Sequence, residues 1–495
     1  MKKKYILILW ITLLFVMPIS CDLDRFPYDG IEQSQAFKTV EDAANFNNGM
    51  YATLRGRMYG NYAYCTDIQA DLFNASMDYG NNVGSVYRWD FLSGDYDVRD
   101  LWRYRYDAIA NCNNILDNID NISVESDEDR ALLNLYKGEA YFMRAYYNFE
   151  LVKRYAKDYE PSTAATDLGL PLTKQYDVNE KPSRSTVEQT YAFILENLAQ
   201  AKTLLTTPGS VGSKRLTRDC VTALEARVAL CMHKYPEAAQ FANSLITSNT
   251  YPLVNDKAAF KNMWHVDDPA ESIFLLHTAA PNELGNTFSI YLMYNVNAAA
   301  YTPYYIPQQW VIDLFSDDDY RKNVYVEELP VLMSGAPYDG IWLLNKFPGN
   351  PAYFTSNTTN YQHRAKVFRI AEMYLIRAEA LAKAGTDDGG ALAALNALRT
   401  HRGLSALVGL TGTALFDAIQ TERTRELLGE GNRMDDLKRW NIGVTRKAPQ
   451  NGGILNPGGI DLSKPTTDDK FQTWGIPAND ILANPNLNGQ QNQGW

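Results

Sequence analysis

The 495-residue sequence predicts a mainly α protein, a tetratricopeptide-like helical-repeat scaffold interrupted by long irregular loop insertions. Three observations predict it. Apolar residues recur at helical spacing through roughly 41–56, 100–250 and 367–440. Within those stretches the helices come as antiparallel pairs with alanine at close contacts, spaced roughly like repeats of about 34 residues. Between them, 57–98 and 252–362 lose the periodicity and are rich in Tyr, Asn, Gly and Pro.

The elements follow in order. Residues 1–20 read as a secretory signal. Lys2, Lys3 and Lys4 precede an apolar run from Tyr5 to Met17, too short for the about 20 residues a membrane span needs. Cys21 follows Ser20 where the apolar run meets Asp22-Leu23-Asp24, which looks like a bacterial lipoprotein cleavage site. Cys21 is therefore expected to be the first mature residue and to carry a lipid. Residues 21–495 are read as one domain, tethered to a membrane rather than embedded in it. Helices are expected at Glu41–Arg55, Asp100–Ile119 and Asp129–Tyr155, the last with Ser126 and Asp129 as an acidic capping box. Ser185-Thr186-Val187-Glu188 reads as a capping box opening a helix to about Leu205. Thr217–His233 and Pro236–Thr247 form a tight helical pair, with Pro236 in a first turn that does not need its N–H. Phe368–Ala384 stops at Gly385, Gly390–Arg402 stops at Gly403, and Ala414–Leu428 is broken by Gly429 and Gly431. Residues 444–495 are irregular.

Composition excludes several classes. Hydrophobic content is 45%, charged content 21%, and net charge −11. Loss of the three lysines in 1–20 takes the mature chain to about −14, which disfavours nucleic acid and anionic surfaces. Cys65, Cys112, Cys220 and Cys231 form no Cys-x-x-Cys pair, so no metal site is expected; the last three fall in amphipathic stretches as small buried side chains. No phosphate-cradling G-x-x-x-x-G-K-[ST] or G-x-G-x-x-G fingerprint occurs, and no cofactor is expected.

Several motifs, in order, resemble the SusD/RagB family, the outer-membrane lipoproteins of Bacteroidetes that bind nutrients beside a TonB-dependent transporter. They are Cys21-Asp22-Leu23-Asp24 with Pro27; Leu101-Trp102 with Tyr106, Ile109, Asn113, Ile115 and Leu116; and Lys137-Gly138-Glu139-Ala140-Tyr141-Phe142-Met143-Arg144-Ala145. The strongest is Arg369-Ile370-Ala371-Glu372-Met373-Tyr374-Leu375-Ile376-Arg377-Ala378-Glu379-Ala380, then Leu395–Arg399 and Arg402-Gly403. Glu422–Leu427, Glu430-Gly431-Asn432-Arg433 and Asp436-Leu437-Lys438-Arg439-Trp440 follow, and Gly475-Ile476-Pro477 through Asn484–Leu487 is similar to the family's tail. Gly429 departs from the pattern, standing where an aromatic is usual. The resemblance implies a cell-surface, lipid-anchored, SusD-like protein that captures oligosaccharide or polysaccharide and hands it to a SusC-like TonB-dependent transporter, with no catalysis. The RagB branch of the family implies a second ligand class, peptide, which needs a groove with backbone hydrogen-bond partners. A scaffold that uses its repeats only for protein contact is a further reading.

The charged residues of these blocks, Glu372, Arg377, Glu379, Arg423, Arg425, Glu426, Glu430, Arg433 and Asp436, look at first like acid–base machinery. Charge of both signs at helix ends more often makes ion pairs and caps, and no Ser-His-Asp order or zinc signature supports a hydrolase. Sugar recognition needs aromatic faces for C–H surfaces and amides or carboxylates for hydroxyls. Asn74–Asp90 offers Asp78, Tyr79, Asn81 and Trp89; Tyr291–Trp310 offers Tyr294, Asn297, Tyr301, Tyr304 and Trp310. These nine are the candidate ligand-binding residues, with Trp89, Tyr294, Tyr301, Tyr304 and Trp310 as the candidate aromatic platforms.

Overall fold

The computed structural model describes residues 36–57, 60–278, 283 and 288–495; the signal segment and Cys21 lie outside the described residues. The described chain opens with α1 (Val40–Arg57) and α2 (Asn61–Gln69), then β1 (Phe73–Ala75) and a one-turn α3 (Gly84–Arg88). Long helices follow: α4 (Tyr96–Asn118), α5 (Asp127–Tyr155), α6 (Val187–Leu204), α7 (Arg218–Cys231) and α8 (Tyr235–Thr247). Each packs on the next, and α1 lies across α4 and α5. The amphipathic pattern explains the order. On α4 the buried set is Val98, Leu101, Trp102, Arg105, Ala108, Ile109, Cys112, Asn113 and Ile115, one face at helical spacing, whereas α7, sandwiched between neighbours, is buried nearly all round.

The caps are local and legible. Ser126 accepts from the Asp129 backbone N–H, as its spacing predicts. The capping box of α6 lies one residue later than Ser185–Glu188. Thr186 is the cap; its hydroxyl accepts from Gln189 N–H at 3.1 Å, and Gln189 Oε1 accepts from Thr186 N–H at 3.0 Å. Ser185 is instead drawn back onto Leu170, its N–H and hydroxyl both donating to that carbonyl.

After α8 the chain leaves the array. It forms α9 (Lys257–His265), β2 (Ser272–Leu275), β3 (Tyr294–Asn295), β4 (Ala300–Tyr301), β5 (Tyr305–Pro307), α10 (Gln309–Ile312), β6 (Val326–Glu328), β7 (Val331–Met333), β8 (Ala336–Tyr338), β9 (Trp342–Leu344) and β10 (Lys366–Arg369). β10 pairs antiparallel with β2 and runs directly into α11 (Ile370–Ala384). Phe368 and Arg369, expected in that helix, are therefore strand: Arg369 is extended at φ −123° and ψ 146°, and α11 starts one residue later. α11 ends on Gly385 at φ 65° and packs on α8, on α12 (Asp388–Thr400) and on α13 (Gly412–Glu426). The helical array thus continues across the excursion, α11 taking the place beside α8 that a directly following helix would take.

The C-terminal part holds α14 (Arg433–Arg439), β11 (Val444–Thr445), β12 (Ser463–Lys464), α15 (Asp469–Gln472) and α16 (Ala478–Ala483). The irregular tail is a staple. Asn492 Nδ2 donates to the carbonyls of Tyr155 and Trp474, and Arg184, which also donates to Tyr155, donates to Gln490 O and Asn492 Oδ1. The C-terminus of α5, the approach to α6 and the chain end are thereby tied together. Cys65, Cys112 and Cys220 are buried, Cys231 is half-buried, and all four are free thiols. Among the described residues no helix is long and apolar enough to cross a membrane.

Candidate ligand-binding surface

The two candidate stretches are distant in sequence and adjacent in space. β1 pairs antiparallel with β5, Asn74 opposite Ile306 and Ala75 opposite Tyr305. Ser76 extends the pairing, its N–H donating to Tyr304 O at 2.9 Å and its hydroxyl to Pro303 O at 2.7 Å. The buried Tyr305 phenol donates to Asn82 O at 2.6 Å and so fixes the loop that follows β1. That loop is held in an unusual shape. Asn81, Val83 and Trp89 all have left-handed backbones, φ 57°, 55° and 62°. For a β-branched residue such as Val83 this costs on the order of 1–3 kcal/mol, sustained only because the surroundings impose it. Gly84 allows the turn to close: a Cβ there would lie 2.1 Å from Asn81 Oδ1. Arg88 Nη1 donates to Asn81 Oδ1 at 2.7 Å and to the Tyr79 hydroxyl at 2.6 Å, so Tyr79, Asn81 and Arg88 form one cluster.

The second stretch builds a four-stranded sheet in the order β3-β4-β7-β8. Its register places Tyr294 opposite Tyr301, Tyr301 opposite Val331, and Val331 opposite Tyr338. Residues directly opposite share a face, so Tyr294, Tyr301 and Tyr338 stand in one row across the sheet. All three are half-buried against a small core that includes Val331, Ile341 and Leu343. The Tyr294 and Tyr301 rings lie 5.0 Å apart between centroids, tilted by 59°. Burial, then the Glu327 carboxylate, raises the Tyr301 phenol, so it stays a neutral hydrogen-bond donor and acceptor at ordinary pH. Asp78 ties the loop to this sheet: its carboxylate accepts from Ser334 N–H at 2.6 Å and Ser334 Oγ at 3.0 Å, in the β7–β8 turn.

The nine candidates therefore divide. Asp78, Asn81 and Asn297 are exposed, and Tyr294, Tyr301 and Tyr304 are half-buried; the parallel β4–β7 pairing puts Asn297, in the β3–β4 turn, at the end of the sheet opposite the Asp78–Ser334 contact. Trp89 is not a platform. It is 3% exposed in a core with Ala70, Met434, Leu437, Val444 and Phe471, and its indole N–H donates to Gln69 O at 2.8 Å. Tyr79 is 7% exposed, its ring edge-on to Tyr305 at 6.1 Å, and it contributes a hydroxyl rather than a face. Trp310 lies at the other end of the β1–β5 pair, half-buried and donating to Asp71 O, with Lys447 4.6 Å and Arg433 5.6 Å from its centroid. The antiparallel register separates it from Ser76, Asp78 and Tyr304. Ser334 and Tyr338 are added to the surface. The turn Ser334-Gly335 between two short apolar runs was a readable hairpin signal; its docking on Asp78, 256 residues away, was not.

The charged signature blocks form buried ion pairs. Glu372 takes both oxygens to Arg227 at 2.7 Å, Asp436 pairs with Arg423 at 2.8 Å, and Glu379 pairs with Arg439 and accepts from Trp440 Nε1. Glu426 sits among Arg369, Arg402 and Arg321 at 2.7–3.0 Å. Burial opposes its charge, but the guanidinium groups of Arg402, Arg369 and Arg321 outweigh it and hold the carboxyl well below the usual range. A carboxylate so held neither gives nor takes a proton near neutrality. Gly429, where the family favours an aromatic, has φ 76° and would place a Cβ 2.8 Å from Leu344 Cδ2. Among the described residues no group of three or more His, Cys, Asp or Glu is placed to hold a metal ion.

Two family models match this sequence, one described as the SusD family over residues 333–495 and one as "Starch-binding associating with outer membrane" over residues 23–230. SusD-like protein P2 of Formosa agariphila is 22% identical across 98% of both chains. The starch-binding protein SusD of Bacteroides thetaiotaomicron is 32% identical over 157 residues, 31% of this chain and 25% of that one. The crystal structure of a SusD superfamily protein from Bacteroides thetaiotaomicron superposes with a TM-score of 0.79 at 26% identity, covering 92% of this chain and 99% of that one. With residues 333–495 matched by the SusD family model, residues 23–230 by a second SusD-like model, and 92% of the chain superposing on a SusD superfamily structure, the chain belongs to the SusD/RagB family.

Proposed function

We propose that this protein is a carbohydrate-binding lipoprotein of the outer membrane, anchored through Cys21 and exposed at the cell surface. It captures oligosaccharide without breaking a bond and hands it to a SusC-like TonB-dependent transporter. The observation that carries the reading is the row Tyr294, Tyr301 and Tyr338 across one sheet, flanked by the exposed Asp78, Asn81 and Asn297. Half-buried tyrosines offer ring surface to sugar C–H groups while keeping a polar hydroxyl, and the flanking amides and carboxylate suit sugar hydroxyls. The pairing of the family's buried carboxylates supports capture rather than hydrolysis. The starch-binding relative points to the same ligand class.

The test is affinity electrophoresis and calorimetry of the mature protein against a polysaccharide panel. A Tyr301→Ala, Tyr338→Ala double variant should lose at least tenfold in affinity for any glycan that binds, with its unfolding midpoint little changed. Binding of no glycan, together with binding of a peptide library, would replace sugar by peptide as the cargo. Product analysis after long incubation should find the glycan intact. Co-purification from outer membranes with a TonB-dependent transporter, and loss of membrane retention in Cys21→Ala, test the partner and the anchor.

A further inference from the structure

A cavity of about 120 Å³ lies away from the tyrosine row, between α5, α7, α9, β10 and the loop entering α14, and none of its lining residues belongs to 73–90 or 291–310. At roughly 30 Å³ per water it has room for about four waters, or one small ion with part of its shell. Half-buried Arg227, Arg364 and Asn432 are among its lining residues.

Its wall has an excess of positive charge. Six cationic side chains line it and two carboxylates, Glu150 and Glu430. Partners account for much of the balance: Lys153 and Arg154 both reach Asp435, Arg105 and Lys153 reach Glu150 at 3.8 and 2.7 Å, Arg227 is bound to Glu372, and Lys366 reaches Asp267 at 3.1 Å. Glu430 is already shared between Lys346 and Arg369. Arg364 has no carboxylate within 4 Å among the described residues; its Nε donates to the Tyr353 hydroxyl at 2.7 Å. A second observation is independent of charge. Trp264 is 2% exposed and lines the cavity, yet its indole Nε1–H finds no acceptor among the described residues. A buried donor left unmade costs about 1–3 kcal/mol, a cost that an acceptor reaching it would remove. The titration behaviour of the walls agrees. Burial opposes the charge of Glu150, but Lys153, Arg105 and Arg154 hold its carboxyl down to about 2. Burial, with Arg154 as a neighbouring cation, also lowers the Lys153 ammonium. Burial is the first cause of the Lys153 shift and the Glu150 carboxylate opposes it, so among these two groups it is Glu150, held charged by its cationic neighbours, that reports the positive character of the wall.

We propose that this cavity is an anion site for a single oxyanion group, sulfate, phosphate or carboxylate, held by Arg364 and Lys366 with the Trp264 N–H as a neutral donor. Such a group offers an acceptor to the Trp264 N–H and offsets the wall's excess charge. It arrives either as the free inorganic ion or as the acidic substituent of a glycan. The proposal is independent of the tyrosine surface and survives if that surface binds nothing.

Sodium sulfate is titrated into the mature protein at constant ionic strength, balanced with sodium chloride, and thermal unfolding and tryptophan fluorescence are followed. The expected result is a saturable rise in the unfolding midpoint, weakened at least tenfold in apparent affinity by Arg364→Gln and by Trp264→Phe. Arg364 is half-buried, so Arg364→Gln keeps the fold, and Trp264→Phe keeps an aromatic side chain while removing the N–H. A response linear in sulfate, or equal in wild type and both variants, overturns the proposal. Competition then separates the sources. A uronic-acid disaccharide that displaces sulfate while its carboxyl-reduced form does not assigns the site to a glycan substituent; no displacement assigns it to the free ion.

Discussion

Trp89→Ala separates a buried tryptophan from a binding one. The side chain is 3% exposed. Burial of about 250 Å² at about 25 cal/mol per Å² gives an upper bound near 6 kcal/mol. Large-to-small core substitutions of Phe or Trp cost about 3–5 kcal/mol, which sets the expected loss. The broken hydrogen bond adds little, because Gln69 O also accepts from Arg446 Nη2 at 3.3 Å. At about 2.1 cal/mol/K per residue, the unfolding entropy of 495 residues is on the order of 1 kcal/mol/K, so the midpoint should fall by about 3–5 °C. The assay is calorimetry of Trp89→Ala beside Tyr301→Ala, with glycan affinity measured well below both midpoints. Trp89→Ala should be destabilised and, where folded, bind normally; Tyr301→Ala should show the reverse. An unchanged midpoint in Trp89→Ala, or a folded Trp89→Ala that has lost affinity while Tyr301→Ala keeps it, would refute the assignment of faces.

Glu426→Gln leaves Arg321, Arg369 and Arg402 around a neutral amide and should cost about 3–5 kcal/mol, read by calorimetry or by protease sensitivity. Acid should act through the same kind of group. Glu150 has a folded pKa lowered to about 2 from 4.5, so its contribution is fully present above about pH 4.5 and is lost as the pH falls toward 2; the unfolding midpoint at pH 2.5 should lie below that at pH 4.5, whereas Asp67, raised to about 7 by burial, acts in the opposite sense between pH 7 and 4. Gly84→Ala forces Asn81 from its place and should weaken glycan affinity severalfold, with a stability loss of about 1–3 kcal/mol read by calorimetry. Thr186→Ala removes half of the α6 capping box and should cost about 1 kcal/mol by calorimetry, whereas Ser185→Ala should not weaken that cap.

Much of the scaffold was legible because its signals are local. Periodicity, caps and helix-ending glycines placed α4 to α8 and α11 to α13 within a few residues, and Gly385 ended α11 as its lack of a Cβ suggests. Phe368 and Arg369 were misplaced because an apolar strand feeding a helix carries a continuous apolar pattern; only the pairing with β2 tells them apart. The site was legible as composition and illegible as geometry. Tyr-rich, Asn-rich loops marked two stretches that the fold brings side by side, yet burial of Trp89 depends on Gln69, Met434 and Phe471, and the setting of Asp78 on where the β7–β8 turn docks. No local pattern reports contacts across hundreds of residues.

The packing of α11 on α8 has a consequence for how the protein is made. Ala238, Ala239, Ala242 and Leu245 on α8 are buried in the finished chain, and α11 begins at Ile370. During synthesis from the N-terminus, α7 is already there to pack on α8, but α11, its other partner, follows only after more than a hundred residues. The first half of the array is therefore a sticky intermediate in any crossing of an envelope, and a chain cut anywhere between 248 and 369 would be left with an adhesive end. A carrier that keeps the chain unfolded until release would remove that hazard, and the late-arriving signature helix would then act as the latch that closes the body in one step.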